Sequence, residues 1–478
     1  MLLSCNKVET RLLDGSDNNK NNPASGTPQQ NFQAKYPPEP FFGPDGDSMI
    51  KCPSDIVNDA DLTQKPPNCA DPLPADNYPM PRCISNILAN YRLGKFDIGK
   101  AMSYRSKRRT SHLTTFFAEF VGYDLISSSN NVKSDHQLYI PSDDKTYNSY
   151  SYSSLPGQLS DLRFLPFNRS DFLNTTTQKS KRTSYNNLTP FLDLSPIYGV
   201  TAENAKNLRE GNRGKLKTSG NAYDPYPFKD PTTGNYVTGP VGKRAINVFT
   251  MAILTIWLRE HNRLCDEFYE KNGDAWTDDQ YFEEARKWNI AFYQRVVTEE
   301  YLGVILGKPL SPYQKYDPDL TPGIDVFFST ITFRYSHSEL SDFYQIQDEF
   351  GNAIVELSLQ NTMKLNLLEK FGVANLLGSM SLQRQEDVDI YYSDATRNVQ
   401  SPEPNTYDLV AFDALRARDR GIALYNDVRQ AYGLEKKDSW ADITSVKEIQ
   451  DNLQQFSIDF CSHRNNAKIS KNMTSLSS

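Results

Sequence analysis

The sequence predicts a mainly α-helical protein organised as one large domain, and three observations predict it. Two long segments carry helical apolar periodicity with matching start and stop signals. Strand signals are few and short. No clean linker interrupts residues 84–463 of the 478-residue chain.

Taken in order, residues 1–83 are rich in Pro, Asn, Asp and Gly, as in "GSDNNKNNPASGTPQQ" and "YPPEPFFGPDGD". Such composition predicts an irregular entry segment. From 84 the pattern turns helical, and 126–185 reverts to a long Ser-, Asn- and Asp-rich loop region. The first long helix is expected over about 245–271, with Gly273 as its C-terminal cap. Its apolar stretch "VFTMAILTIWL" (248–258) runs straight into "REHNR", which marks a buried helix and not a membrane span. The second opens at "TDDQYFEEARK", where Thr277 and Gln280 form a capping box, and ends near Gly307. Helical patterns recur near 325–343, 363–380 and 406–432, and the tail 464–478 is polar and expected to be mobile.

Hydrophobic residues make up 38% and charged residues 23%, which suits a solvated globular protein. A net charge of −7 argues against a general nucleic-acid binder, because no excess of Lys and Arg is present to displace counterions. The basic run "SYRSKRRTS" (103–111) is more often a solvated loop than a binding patch. The start "MLLSCNKVETRLLDG" has no apolar core of the kind a signal peptide carries. Other features point outside the cell. Asn168, Asn174, Asn187 and Asn472 stand in glycosylation sequons, and four of six cysteines (Cys5, Cys52, Cys69, Cys83) cluster near the start. Their pairing is open. A fragment of a longer secreted or membrane-tethered chain satisfies both sets of features; so does a cytosolic protein with free thiols.

Nucleotide chemistry, zinc hydrolysis and serine acyl transfer lack their usual markers: there is no phosphate-binding loop, His-Glu-x-x-His, Gly-x-Ser-x-Gly or Cys-x-x-Cys. What stands out is "FRYSH" (333–337), an arginine and one of only five histidines in an apolar, β-branched surrounding. Burying both demands partners. On a helix Thr330, Phe333 and His337 would share a face, and a histidine there can be an axial iron ligand if its other nitrogen has an acceptor. Taken alone, such a histidine is more often a hydrogen-bonded core residue.

Four segments in order, "NLTPFLDLSPIYG" (187–199), "TIWLREHNRL" (255–264), "FRYSH" (333–337) and "LRARDRGIALYNDVR" (415–429), resemble the animal haem peroxidase family over most of 84–435. The stretch "PRCISNIL…RTSHLTTFFAEFVGYDLIS" looks most like the peroxidase-like domain of dual oxidases. The upstream "DGSDNNKNNPASGT" resembles the family's entry segment, with Asp17 where the family has a cysteine. The resemblance implies a large helical fold, non-covalently held haem b, Ca2+, and hydrogen peroxide with a small-molecule reductant as substrates. It also implies an extracellular setting with an oxidase module or other protein partner. By the same resemblance His337 matches the proximal iron ligand, Asn426 its hydrogen-bond acceptor, Arg334 a propionate contact and Arg244 the distal catalytic arginine. Thr189, Phe191, Asp193 and Ser195, with Asp124, match the calcium ligands, hard oxygen donors of the right kind. A glycan on Asn187 then conflicts with Thr189 at the metal.

The distal side departs from the pattern. "EFVGYD" (119–124) puts Tyr123 where the family has its catalytic histidine and Glu119 at the halide-site glutamine. A phenol of pKa near ~10 is a poor base at neutral pH, and losing the acid–base residue implies a loss on the order of 10²–10⁴-fold. His112 is off the face of Tyr123, while His136 stays open as a substitute. Gly122, Asn247 and Val248 stand where the family forms covalent bonds to haem, so none is expected. Three readings result: a haem protein with weakened or altered peroxide chemistry, a catalytically inactive pseudo-peroxidase serving as a calcium-stabilised interaction domain, and a fatty-acid dioxygenase using Tyr335.

Overall fold

The computed structural model describes residues 30–31, 81–89, 105–128, 137–141, 144, 164–171, 184–239, 246–314, 322–400, 406–423 and 425–457. Among these, helices dominate, and the strands form only two-stranded sheets. The expected fold class is the observed one.

The centre of the core is helix α2 (Val248–Asn272), which packs against α1 (His112–Leu125), α3 (Asp278–Arg295) and α5 (Leu367–Leu382). Its first half is apolar on every side and buried on nearly every side, as expected of a helix surrounded by others. Asn247 caps it by accepting from the backbone N–H groups of Phe249 and Thr250, and Gly273 ends it at φ 56. The sequence places both limits within three residues. Aromatic contacts lock the packing: Phe116 of α1 lies 4.7 Å from Phe249, and Tyr344 lies 5.4 Å from Phe249. Trp257 meets Tyr293 of α3 edge-on at 5.3 Å. Truncating a fully buried ring such as Phe249 would cost about 3–5 kcal/mol.

Helix α3 opens with the expected Thr277–Gln280 capping box, with both reciprocal hydrogen bonds formed. It continues through a π-turn (Val296–Tyr301) and a last turn (Leu302–Leu306) to Gly307 at φ 69. The region 325–343 departs from expectation. Only α4 (Val326–Thr330) is α-helical, started by the Asp325 carboxylate. Ile331 leaves the helix at φ −118, and Thr332–His337 is a 3₁₀ turn. Three consecutive β-branched residues, Thr330, Ile331 and Thr332, crowd the preceding turn and disfavour its continuation. The 330/333/337 face expected of a continuous helix therefore does not form. Strand β1 (Phe343–Gln347) follows and pairs antiparallel with β2 (Ala353–Ser358).

The segment expected to be helical over 406–432 divides into α6 (Leu409–Asp419) and α7 (Tyr425–Ala431), with Gly421 at φ 63 between them. Helix α6 is tied down at its start. Asp408 caps Ala411 and also receives the buried Arg82 guanidinium. Arg82 further binds Asp144 at 2.7 Å and the Arg397 carbonyl at 2.7 Å. Removing one partner of such a buried pair would cost about 3–5 kcal/mol. Among the strands, Gln30–Asn31 of the entry segment pairs with Tyr185–Asn186. Cys83 is disulfide-bonded and Cys265 is a buried free thiol. Cys5, Cys52, Cys69, Cys461, Asp17, His136, Arg244, the sequons at Asn174 and Asn472, and the tail 464–478 lie outside the described residues.

Candidate active site

Three elements converge around His337: one face of α1, the 3₁₀ turn Thr332–His337, and α6. Glu119, Gly122 and Tyr123 share a face of α1 by their i, i+3, i+4 spacing. That face looks onto the turn: a Cβ on Gly122 would stand 3.1 Å from Cε1 of Phe333. Residues 333–337 and 119, 122 and 123 are all intermediate in exposure, although Phe116, Phe120 and Val121 of the same helix are buried. The two facing surfaces thus touch at Gly122 and Phe333 while keeping partial exposure.

His337 Nδ1 lies 2.7 Å from the Asp413 carboxylate of α6. Its Nε2 has no hydrogen-bond partner among the described residues. Asn426 does not take the role expected of it. Its side-chain amide bonds both ways to Lys437, accepting from the N–H at 2.9 Å and donating to the carbonyl at 2.9 Å. It sits on α7, beyond the Gly421 break, and closes the turn after that helix; Asp413 lies mid-α6, turned toward the 3₁₀ turn. A signal for Asp413 existed in the sequence, an acid inside the otherwise apolar "LVAFDAL".

The Arg334 side chain forms no ion pair or hydrogen bond among the described residues, while its backbone N–H donates to the Ile331 carbonyl at 2.9 Å. Like charge lies near it. Desolvation pushes the Arg420 guanidinium down to about 9, with Arg416 and Arg334 adding repulsion. Arg420 donates to Thr330 at 3.1 Å and Ser170 at 3.2 Å, and Arg416 to Asp419 at 3.1 Å. An imidazole nitrogen backed by a carboxylate on its other side, and a guanidinium among like charges, both without side-chain partners among the described residues, suit an anionic, iron-bearing group such as haem.

Opposite His337, Tyr123 donates to Glu119 at 2.9 Å. Thr250 Oγ1 donates to the other carboxylate oxygen at 2.7 Å, and Asn247 Nδ2 donates to that same oxygen. Desolvation holds the Glu119 carboxyl above the ordinary range, opposed by its three donors and by His337. His112 is engaged elsewhere, with Ser341 at 3.0 Å, and burial pushes it down to about 3. Tyr335 pairs with Tyr301 at 2.7 Å.

The expected oxygen-donor group also assembles. Thr189 and Ser195 hydroxyls each donate to Asp193 at 2.6 Å. The backbone N–H groups of Asp193, Leu194 and Ser195 turn onto Asp124 at 3.0, 3.3 and 2.7 Å. Leu194 sits at φ 59, a left-handed conformation rare for a branched side chain, which makes the chain wrap around Asp124. Phe191 lies in the same turn. Desolvation and the neighbouring Asp193 carboxylate raise the Asp124 carboxyl well above its ordinary range. Two carboxylates forced together with hydroxyls suit a hard cation such as Ca2+. No cluster of three or more His, Cys, Asp or Glu able to hold a metal occurs among the described residues. The Asn187 sequon has its Thr189 fully buried.

A family model for animal haem peroxidase matches residues 10–459. The chain belongs to that family. It is 30% identical to peroxinectin A of Dictyostelium discoideum, over 56% of this chain and 53% of that protein. It is 29% identical to thyroid peroxidase of Sus scrofa, over 55% of this chain and 32% of the relative. Against dual oxidase of Drosophila melanogaster it is 26% identical over 80% of this chain and 26% of the relative. The chain thus spans about a quarter to a half of the length of these curated relatives. Among solved structures it is similar in fold to peroxidase A of Dictyostelium discoideum, at a TM-score of 0.75 and 23% identity, over 95% of this chain and 84% of that one. A fatty acid alpha-dioxygenase of Arabidopsis thaliana shares the fold at a TM-score of 0.67 and 18% identity, over 94% of this chain and 69% of that one. No helix among the described residues is long and apolar enough to cross a membrane.

Proposed function

We propose that the chain binds haem b non-covalently between α1 and the Thr332–His337 turn and performs altered hydrogen-peroxide chemistry as the peroxidase-like module of a dual-oxidase-type system. The observation that carries this reading is His337, with Nδ1 held by Asp413 and Nε2 without a partner among the described residues. His337 Nε2 would hold the iron, Asp413 would fix the tautomer and aim of the ring, and Arg334 would pair with a carboxylate of the haem. Bound haem supplies the two electrons consumed when a peroxide O–O bond breaks. Gly122, Asn247 and Val248 offer no carboxylate or thioether for a covalent link; Asn247 is committed to capping α2. Asp124, Thr189, Phe191, Asp193 and Ser195 would hold Ca2+, which would tie the end of α1 to the 189–195 turn. The Cys83 disulfide supports an extracellular or extracellular-facing location.

The test is the absorption spectrum of the full chain produced with added haem and calcium, beside His337→Ala. A Soret band in the wild type that shifts or vanishes in the variant supports axial ligation. No Soret band in either overturns the haem reading and leaves a calcium-stabilised interaction domain.

A further inference from the structure

Replacing the distal histidine by Tyr123 leaves the α1 face in need of a proton acceptor. Among the described residues, His112 is committed to Ser341, and His261 bridges Tyr198 at 2.9 Å and the Gly214 carbonyl at 2.9 Å. Tyr123 directs its own proton onto Glu119. Glu119 is different. It lies one turn from Tyr123 on the face that looks onto the 3₁₀ turn. One of its carboxylate oxygens accepts from Thr250 and Asn247, while the other accepts, among the described residues, from Tyr123 alone. An ionised carboxylate oxygen offers about two acceptor sites, so this second oxygen keeps one.

Resting on the haem reading above, we infer that Glu119 is the distal proton-transfer residue of this protein, with Tyr123, Thr250 and Asn247 as its positioning residues. Its carboxylate takes the proton from the peroxide oxygen nearer His337 and returns it to the far oxygen. As the O–O bond breaks, the far oxygen would leave as water with both protons and the bonding pair, and the near oxygen would stay behind, its two missing electrons supplied by bound haem. Desolvation favours this use, because it raises the carboxylate's affinity for a proton. Among the described residues, the titratable groups facing it are Tyr123 from its own helix, His337 from the turn and Tyr344 from β1.

Hydrogen cyanide tests this without turnover, since it must leave its proton on a distal base to bind as the anion. Cyanide association to the haem-loaded full chain is followed by the Soret shift across pH, and peroxide reaction in parallel. Glu119→Gln is expected to slow both on the order of 10²-fold and to remove the acid limb of the pH profile. Glu119→Asp should recover part of the rate. Tyr123→Phe should keep the acid limb but move it to higher pH, because a donor to the carboxylate is lost. If Glu119→Gln loads haem and keeps the wild-type rate and profile, the inference is overturned while the haem reading stands. Should Glu119→Gln fail to fold, an unmoved acid limb in Tyr123→Phe overturns it instead. Failure of the wild type to load haem overturns both.

Discussion

The contact between His337 and Asp413 gives the most direct prediction, because it replaces the Asn426 contact expected from sequence. Asp413→Ala leaves Nδ1 without its acceptor at 2.7 Å and frees the ring to turn. Loss of such an outer partner typically costs ~10–100-fold in metal affinity, or about 1.4–2.7 kcal/mol. The two side chains are 19% and 25% exposed, so water can restore part of the bond. The lower half of that range, roughly 10–30-fold, is therefore expected. The assay is titration of haem-free protein with haem, followed at the Soret band. Asp413→Asn keeps an acceptor and should retain most of the affinity. It should also raise the iron midpoint potential, because the carboxylate no longer adds negative charge to the ring. Asn426→Ala should leave haem affinity unchanged and cost about 1 kcal/mol of stability through the lost Lys437 contacts. Wild-type affinity in Asp413→Ala, or a larger effect in Asn426→Ala, would refute the assignment.

Other perturbations follow from the same geometry. Arg334→Gln should weaken haem binding by about 1.5–3 kcal/mol, the worth of a charge-assisted hydrogen bond, with little change in the stability of the haem-free chain; equilibrium titration and thermal unfolding separate the two. A calcium chelator should lower the Tm of the wild type, whereas Asp193→Asn should unfold at a Tm insensitive to chelator, since the paired carboxylates no longer need a cation. His261 is pushed by burial from 6.5 to about 4. The unfolded chain therefore takes up a proton first as pH falls, and stability is lost from about pH 6.5 down toward 4. His261→Gln should flatten that slope by about 1.4 kcal/mol per pH unit, measured by denaturant unfolding at several pH values.

Much of the fold was legible because it rests on local signals. The end of α2, the start of α3 and the stop after its last turn follow from Gly273, the Thr277–Gln280 box and Gly307, all of which act within a turn of where they stand. The region 325–343 was misread because apolar content there suggested a helix, while the β-branched run Thr330–Thr332 favoured a break. Part of the candidate site was equally legible. Asp124, Thr189, Asp193 and Ser195 do come together, and Tyr123 does stand beside Glu119 on α1. Arg244 lies outside the described residues.

By itself, the sequence determined the helical class, the limits of the long helices, the family and the histidine on which the site is built. These depend on residue type and on spacing within one element. Tertiary structure alone decided which groups meet across elements. Asp413 and not Asn426 reaches His337, because the break at Gly421 turns α7 away while Arg82 pins α6 through Asp408. The three donors from α1 and α2 likewise converge on Glu119 only once those helices pack. Proximity between residues 76 and 131 positions apart, as in His337–Asp413 and Glu119–Thr250, is set by packing, and no local pattern encodes it.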